Sequence, residues 1–170
     1  MNILKRFITI LIVFFLFVHS SYGEDKIVYL DLDNVVTNTN AGKSILDQLE
    51  KSKKSALLRF EKKEKELKII EDEIKKQKNI ISEEELRKKL LEFRKELSNF
   101  RQEKQKVINE FNQKKKVEFD QFFKKITPII EKYVSEKNID IVLDRKKVFV
   151  ASKKKDITKE IIKIINTNLK

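Results

Sequence analysis

The chain has 170 residues, of which 39 are Lys or Arg and 27 are Asp or Glu, so its formal net charge is +12. It contains no Cys, one His, two Gly and one Pro. These counts exclude disulfides, thiol nucleophiles, cysteine-based zinc sites and glycine-rich phosphate loops. The composition therefore favours a binding protein over an enzyme, and we expect no catalytic residue, cofactor or metal.

The first segment has the pattern of a secretory signal peptide. Lys5 and Arg6 precede a mostly apolar run over residues 7–18, and Ser21 and Gly23 are small residues at the −3 and −1 positions of a cleavage site. The run is shorter than the ~20 apolar residues that a membrane-spanning helix requires. We therefore expect export and cleavage after Gly23, the alternative being a retained membrane anchor.

A short β-strand is predicted next, over residues 26–31, from its Ile, Val, Tyr and Leu side chains. The strand runs into an Asp-x-Asp motif at Asp31 and Asp33, which resembles the nucleophile motif of haloacid-dehalogenase-like phosphatases. That chemistry requires a doubly wound sheet, and the next ~100 residues show no alternation of strands and helices. We therefore expect Asp31 and Asp33 to end the strand and bond the turn before Asn38 or Asn40 caps a helix.

A seven-residue rhythm predicts a long helix after this turn. Apolar residues recur at alternating spacings of three and four, as in a coiled coil. Eight of the eleven positions in this seam are apolar, and the positions are Leu46, Leu49, Lys53, Ala56, Phe60, Lys63, Leu67, Ile70, Ile74, Gln77 and Ile81. The helix would be ~60 Å long at 1.5 Å per residue.

A second helix is predicted after a break in the rhythm at residues 78–82, where Ser82 and Glu85 have the spacing of a capping box. Two amphipathic helices joined by a short turn should fold back antiparallel, because neither can bury its seam alone. Pro128 should bend the second helix near Lys124. The second seam comprises Leu86, Leu90, Phe93, Leu97, Phe100, Lys104, Val107 and Phe111, and it resumes at Phe122, Ile126, Ile129 and Tyr133.

The remaining residues predict a small body at the base of this hairpin. Residues 139–144 and 148–151 have β-like patterns, and we expect them to form a β-hairpin through residues 145–147. Residues 156–158 would then cap a final helix with an Ile-rich face. Three short strands and one helix bury few large side chains, at ~2 kcal/mol each, and leave open strand edges. Association of several copies is therefore expected, although the periodicity does not give their number.

Three short motifs are the most distinctive parts of this order of strands and helices. They are Ala41-Gly42-Lys43, Val142-Leu143-Asp144-Arg145 and Asp156-Ile157-Thr158. Together with the signal segment, the first strand and the helical hairpin, they resemble the Skp/OmpH family of periplasmic chaperones over essentially the whole chain after residue 23. The resemblance implies a homotrimer whose strands join in a central β-barrel-like body. It also implies three arms around a cavity that holds unfolded outer-membrane proteins without ATP.

The expected fold is thus mainly α with small β, a long antiparallel coiled-coil hairpin projecting from a small β-barrel-like trimerisation body. The expected segments are a cleaved signal peptide at 1–23 and the first strand of the body at 24–40. The hairpin arm follows at 41–138, with its turn near 79–82. The β-hairpin and C-terminal helix of the body occupy 139–170.

Two classes of side chain are candidates for contact with a client protein. Phe119 and Phe123 lie beside the second seam and are expected to face the cavity, whereas the seam phenylalanines are expected in the hairpin core. Lysine clusters would attract negatively charged clients through weak, salt-screened contacts, although charge runs on helices are usually just solvated faces. The candidate lysines are Lys53, Lys54, Lys62, Lys63, Lys114, Lys115 and Lys116.

The expected function is that of a periplasmic holdase, which binds unfolded outer-membrane proteins and prevents their aggregation. The expected partners are those clients, further copies of the chain, and an anionic lipid or lipopolysaccharide surface. Nucleic acid is disfavoured by export and by the lack of a recognition motif. The alternative is a coiled-coil spacer or adaptor of the envelope that binds a folded partner and has no chaperone activity.

Overall fold

The computed structural model describes residues 25–169, so the predicted signal peptide lies outside the described residues. Two short 3-10 turns, Arg145–Lys147 and Lys153–Lys155, lie in the C-terminal part. The prediction of a mainly helical chain with a small β part is confirmed. In chain order, the helices and strands are β1 (Ile27–Leu30), α1 (Leu32–Asn38), α2 (Asn40–Gln77), α3 (Glu83–Glu136), β2 (Ile141–Asp144) and α4 (Thr158–Asn168).

Helices α2 and α3 form an antiparallel hairpin, called the arm below. At 1.5 Å per residue the two helices are ~57 Å and ~81 Å long. They are joined by residues 78–82, and the Ser82 hydroxyl accepts a hydrogen bond from the Glu85 amide at 3.2 Å, which starts α3. Every predicted seam position is buried or half-buried except Lys53, which is exposed. The heptad pattern thus gives the inward face of both helices.

An aromatic cluster joins the two helices midway along the arm. The rings of Phe60 and Phe100 meet edge to face, with centroids 6.0 Å apart. The Lys104 ammonium lies 5.7 Å from the Phe60 ring and 2.9 Å from a carboxylate oxygen of Glu64. Further pairs, Arg59 with Glu103 at 3.3 Å among them, cross the hairpin at its margins. The apolar contacts supply most of the stabilisation, because exposed ion pairs contribute only ~0–1 kcal/mol each.

The remaining elements form a small body at the base of the arm. Strands β1 and β2 are parallel, with Ile27 opposite Ile141 and Leu30 opposite Asp144. Parallel neighbours require a long crossover connection, and here the arm is that crossover. On its other side, β1 makes one parallel bridge from Tyr29 to Asp156. Strand β1 is therefore central, and β2 has a free outer edge within the described chain.

The body core lies between this sheet, α1, the base of α3 and one face of α4. Val35, Ile126, Ile161 and Ile165 are its most deeply buried side chains. Ile161 and Ile165 belong to the Ile-rich face of α4, which the structure thus packs against the core. The complete buried cluster is Val28, Leu30, Val35, Phe122, Ile126, Ile139, Ile157, Ile161 and Ile165.

The prediction of a turn after the first strand, with Asn38 or Asn40 as the helix cap, is wrong. The chain instead forms α1, whose cap is Asp31, with its carboxylate accepting from the Asn34 amide at 2.9 Å. Thr39 ends α1 and caps α2, since its hydroxyl accepts from the Gly42 amide at 3.2 Å. Both caps have extended backbone angles, which place their side-chain oxygens over the free amides of the first helical turn.

Gly42 allows α1 and α2 to meet closely at this corner. A Cβ atom at this position would lie 2.0 Å from the Val36 carbonyl oxygen and 2.8 Å from the Thr39 hydroxyl. A backbone oxygen cannot yield as a flexible side chain does. Position 42 therefore requires glycine because of close approach between backbones.

The predicted β-hairpin of residues 139–144 and 148–151 does not form in the described chain. Only the first of these segments contributes a strand, and Arg145–Lys147 is a 3-10 turn in which the Asp144 carboxylate accepts from the Lys146 amide at 3.0 Å. A three-residue hairpin loop favours Gly at its left-handed position, and none of these three residues is Gly. Val148 to Ala151 therefore leaves the sheet without a ladder partner.

A single chain consequently closes no barrel. Within residues 25–169 the sheet consists of β1, β2 and the one bridge at Asp156, and it is open at the edge of β2. The predicted β-barrel-like body is not formed by these elements alone.

Candidate functional site

The Asp-x-Asp motif has structural roles. Asp31 caps α1, and Asp33 accepts from the Lys146 ammonium, with N–O distances of 2.6 and 2.8 Å. The hydrogen bond to Asp33 raises the pKa of Lys146 above its ordinary value. This contact ties the turn after β2 to α1, so both carboxylates organise the body.

The described residues contain neither a cluster of metal ligands nor a membrane-spanning helix. Over residues 25–169, no three His, Cys, Asp or Glu side chains come together as a metal ion would require. Among those same residues, no helix has the length and apolar character needed to cross a membrane.

The candidate lysines are dispersed along the arm and do not form one cluster. Lys53, Lys54 and Lys62 are exposed on α2, and Lys114, Lys115 and Lys116 are exposed on α3. Lys63 differs, because its ammonium lies 3.5 Å from Glu96 of α3 and 3.6 Å from Glu66. Lys63 thus links the two helices, and contact of the candidate lysines with a client stays a prediction.

The two candidate phenylalanines lie at the base of the arm, and both are half-buried. Phe123 packs against the body core and contacts Phe122 edge to face, with ring centroids 5.5 Å apart. Part of the Phe123 ring is therefore used for folding. Phe119 lies outside that cluster and is the freer of the two rings to meet a partner.

Several exposed aliphatic side chains were missed because they lie outside the heptad seams. Leu57, Leu58, Ile69 and Leu91 of the arm helices are each more than half exposed, and Ile80 in the turn is 80% exposed. Their signal in the sequence is an apolar residue at a position that the heptad pattern assigns to solvent. Isolated exposed aliphatics are ordinary on protein surfaces, so the sequence alone gives no reason to select them.

A second exposed apolar surface lies at the free edge of the body. Ile141 and Leu143 of β2 are 45% and 42% exposed. Close by in sequence, Phe149 is 99% and Val150 79% exposed. Arg145 holds the start of this segment, since its guanidinium donates to the Val148 carbonyl at 2.7 Å. The body therefore presents an open strand edge and an unburied aromatic ring in one region of the chain.

A protein-family model described as outer membrane protein (OmpH-like) matches residues 26–165. The chain belongs to the OmpH-like family. The match begins at β1 and ends within α4, so it includes both the arm and the body of this OmpH-like chain. The expected family resemblance is confirmed.

Among solved structures, the OmpH-like chain is similar to the crystal structure of an OmpH-like protein from Caulobacter crescentus CB15, which is named as a candidate outer membrane chaperone. The TM-score is 0.75 at 13% sequence identity, and the alignment covers 90% of this chain and 92% of that chain. At this identity the likeness concerns the fold alone. No curated protein matches the chain.

Proposed function

We propose that this OmpH-like chain is a periplasmic, ATP-independent holdase that binds unfolded outer-membrane proteins and prevents their aggregation. The observation that carries the proposal is the family match over residues 26–165, which includes a projecting arm and a small body. The fold shared with a candidate outer membrane chaperone supports it. We also propose that the chain is exported through a signal peptide cleaved after Gly23. N-terminal sequencing of the exported protein should then find Glu24 as its first residue.

The proposed mechanism uses many weak contacts. Exposed lysines and isolated aliphatics along the arm offer salt-screened attraction and small apolar patches, none of which holds a client tightly. A chain held at many such points is kept from meeting other unfolded chains. Release requires no chemistry, because an acceptor that binds or folds the client more favourably shifts the equilibrium by mass action.

We further propose that the body assembles as a homotrimer. The number of copies is what the family resemblance implies. Association itself has physical support, since β2 has an open edge and the neighbouring Phe149 is 99% exposed. Residues 148–151 of one copy could satisfy the edge of another copy by strand addition, which would also bury Phe149. Such an addition would pair the strand edge that a single chain leaves open.

Replacement of Phe149 and Val150 by Ser tests this assembly. We expect native mass spectrometry to show a trimer for the wild-type protein and a smaller species for the double variant. The control is Ile80→Ser, which removes an apolar side chain as exposed as Val150 but at the tip of the arm. A wild-type monomer, or an unchanged trimer in the double variant, would contradict the proposed assembly.

Capture of an unfolded membrane protein tests the holdase activity itself. A urea-unfolded outer-membrane β-barrel protein is diluted into buffer with and without the purified protein, and its aggregation is followed by light scattering. We expect suppression and a stable complex detectable by mass. A coiled-coil spacer or adaptor, the alternative function, would bind a folded partner and suppress no aggregation.

Phe119, Phe123 and the candidate lysines remain the proposed client contacts. Phe119→Ser should weaken client capture at unchanged thermal stability. Phe123→Ser should lower the thermal stability as well, because that ring packs on the body core. An anionic lipid or lipopolysaccharide surface is the further proposed partner, and its binding should weaken as ionic strength rises.

A further inference from the structure

The side of α2 that points away from α3 carries two isolated aliphatic residues. The buried side chains Leu49, Phe60 and Leu67 define the centre of the seam on α2. At about 100° per residue, Leu58 and Ile69 lie within about 20° of the point directly opposite that centre. Both are well exposed, at 58% and 59%. They are therefore the apolar residues of α2 that are farthest from its partner helix.

Four lysines share this side of the helix with them. Lys51, Lys62 and Lys65 lie within about 35° of the far point and Lys54 within about 50°, whereas the nearest acidic residue of this stretch, Glu61, lies about 65° from it. Among the described residues, three of these lysines form no ion pair, and the fourth, Lys65, pairs with Glu61 at 2.8 Å. We define the far face as Lys51, Lys54, Leu58, Lys62, Lys65 and Ile69.

The corresponding side of α3 has a different chemistry. Opposite the seam residues Phe93, Phe100 and Val107, the stretch between residues 98 and 113 presents only uncharged polar residues. These residues are Ser98, Gln102, Gln105, Asn109 and Gln113. The contrast with α2 holds for this stretch alone, because nearer the tip the exposed Leu91 lies opposite the α3 seam, with Arg87 and Lys95 within about 40° of it.

The spacing of the two aliphatic residues limits what can cover the far face. They are eleven residues apart, which corresponds to about 16 Å along the helix. A helical partner or a bilayer surface needs apolar side chains at each successive turn, and the far face lacks that continuity. An extended polypeptide advances about 3.3 Å per residue, and its successive side chains point to opposite faces. Residues four or six positions apart share a face and lie about 13 or 20 Å apart, which brackets the distance between Leu58 and Ile69.

We propose that the far face of α2 binds an extended, unfolded segment in which apolar residues four or six positions apart, on one face of the segment, are separated by Asp or Glu. The apolar residues contact Leu58 and Ile69, and the carboxylates approach the lysines between and beside them. The inference rests on the proposed holdase function, because it specifies the client chemistry and the surface that receives it. It separates Lys54 and Lys62 from Lys63, which pairs with α3.

A pair of double variants tests the apolar contacts. In the first, Leu58 and Ile69 are replaced by Ser. In the matched control, Leu57 of α2 and Ile108 of α3 are replaced by Ser. Both are exposed aliphatics, and each lies about 100° around its helix from the point opposite the seam. Binding is measured by fluorescence anisotropy with labelled peptides that have Leu at every fourth or every sixth position and Asp or Glu between. We expect about tenfold weaker binding for the first variant and less than about twofold for the control.

A second comparison tests the charges. Replacement of Lys51, Lys54 and Lys62 by Gln should weaken binding of the acidic peptides and leave peptides with Asn and Gln in place of Asp and Glu unaffected. The same net charge is removed in the control by replacing Lys88, Lys95 and Lys106 of α3. Equal losses in the two triple variants would mean that net charge, and not the far face, governs binding, and would overturn the proposal.

The outcomes separate this inference from the proposed function. If the wild-type protein does not suppress aggregation of the unfolded membrane protein, the holdase function fails. If the wild-type protein does suppress it and the L58S/I69S variant binds the peptides as the control does, the far-face proposal fails and the holdase function stands. Loss of binding to phosphatidylglycerol vesicles with unchanged peptide affinity would overturn it in favour of a lipid surface. A changed oligomer mass in L58S/I69S would overturn it in favour of a second copy.

Discussion

The arm and the body bury their apolar side chains in different ways. In the arm, one narrow seam on each helix meets the other, and every seven residues repeat the same contact. In the body, residues distant in the sequence meet in one cluster, including Val28 of β1, Ile126 of α3 and Ile161 of α4. The arm is thus specified locally, whereas the body depends on long-range contacts and leaves its own sheet edge open.

The difference predicts unequal effects of the same core truncation, and this is the largest effect expected. Ile161→Ala in the body should cost about 2–5 kcal/mol of unfolding free energy, because a fully buried side chain leaves a cavity among fixed neighbours. Leu67→Ala in the arm should cost less, because two helices can close around the gap. Urea denaturation followed by circular dichroism measures both, and equal losses would show that the arm packs as rigidly as the body.

Gly42→Ala tests the junction between the two regions and should have the next largest effect. The added Cβ would meet the Val36 carbonyl oxygen, so α1 must shift away from α2. Overpacking of this kind costs about 1–3 kcal/mol. Hydrogen exchange should show the loss in α1 and α4, with amides in the distal arm unchanged. Ser44→Ala, at an exposed position of the same helix, is the control and should have little effect.

Helix caps offer a smaller effect and a matched comparison. Thr39→Ala removes a buried hydroxyl that caps α2 at the body, and should cost about 1–2 kcal/mol. Ser82→Ala removes an exposed cap at the arm tip and should cost less, near the lower end of the range of about 0.5–2 kcal/mol. Thermal melts of the two variants should therefore differ in that order. The reverse order would indicate that the tip, and not the junction, limits the stability of the arm.

The smallest effect is expected from the charges on the arm surface. The hydrogen bonds from Lys75 and Lys68 lower the pKa of Glu71 below its ordinary value. A lowered carboxyl pKa gives a stability contribution that is complete above the ordinary value of about 4.3 and is lost as the pH falls through the folded-state pKa. Glu71→Gln should therefore slightly destabilise the protein at pH 7 and have no effect at strongly acidic pH. Glu73→Gln is the control, since Glu73 forms no ion pair within residues 25–169.

The sequence predicts the arm well because its signal is periodic and local. The seam from Leu46 to Ile81 and the cap of α3 at Ser82 follow from heptad spacing and cap chemistry, both of which are properties of neighbouring residues. The side chains opposite the seam are predictable in position from the same spacing. Their chemical role is not, because exposure alone does not identify a partner.

The body is predicted less well because its structure depends on tertiary contacts. Helix α1 contains Val35 and Val36, β-branched residues that favour strands, and its formation is driven by the complete burial of Val35 against the body core. Residues 148–151 have a strand pattern and yet no partner strand in the chain. In both segments the local preference is overridden or left unsatisfied by contacts that no sequence window contains.

The position of the arm between β1 and β2 has a kinetic consequence. The two strands are separated by about 110 residues, and bringing the ends of so long a loop together carries an entropic cost before any strand contact forms. When the arm closes from its tip toward its base, each added heptad shortens the effective loop. Closure of the arm thus brings β2 close to β1 during folding. The length of the arm can vary by whole heptads without changing the strand register at its base.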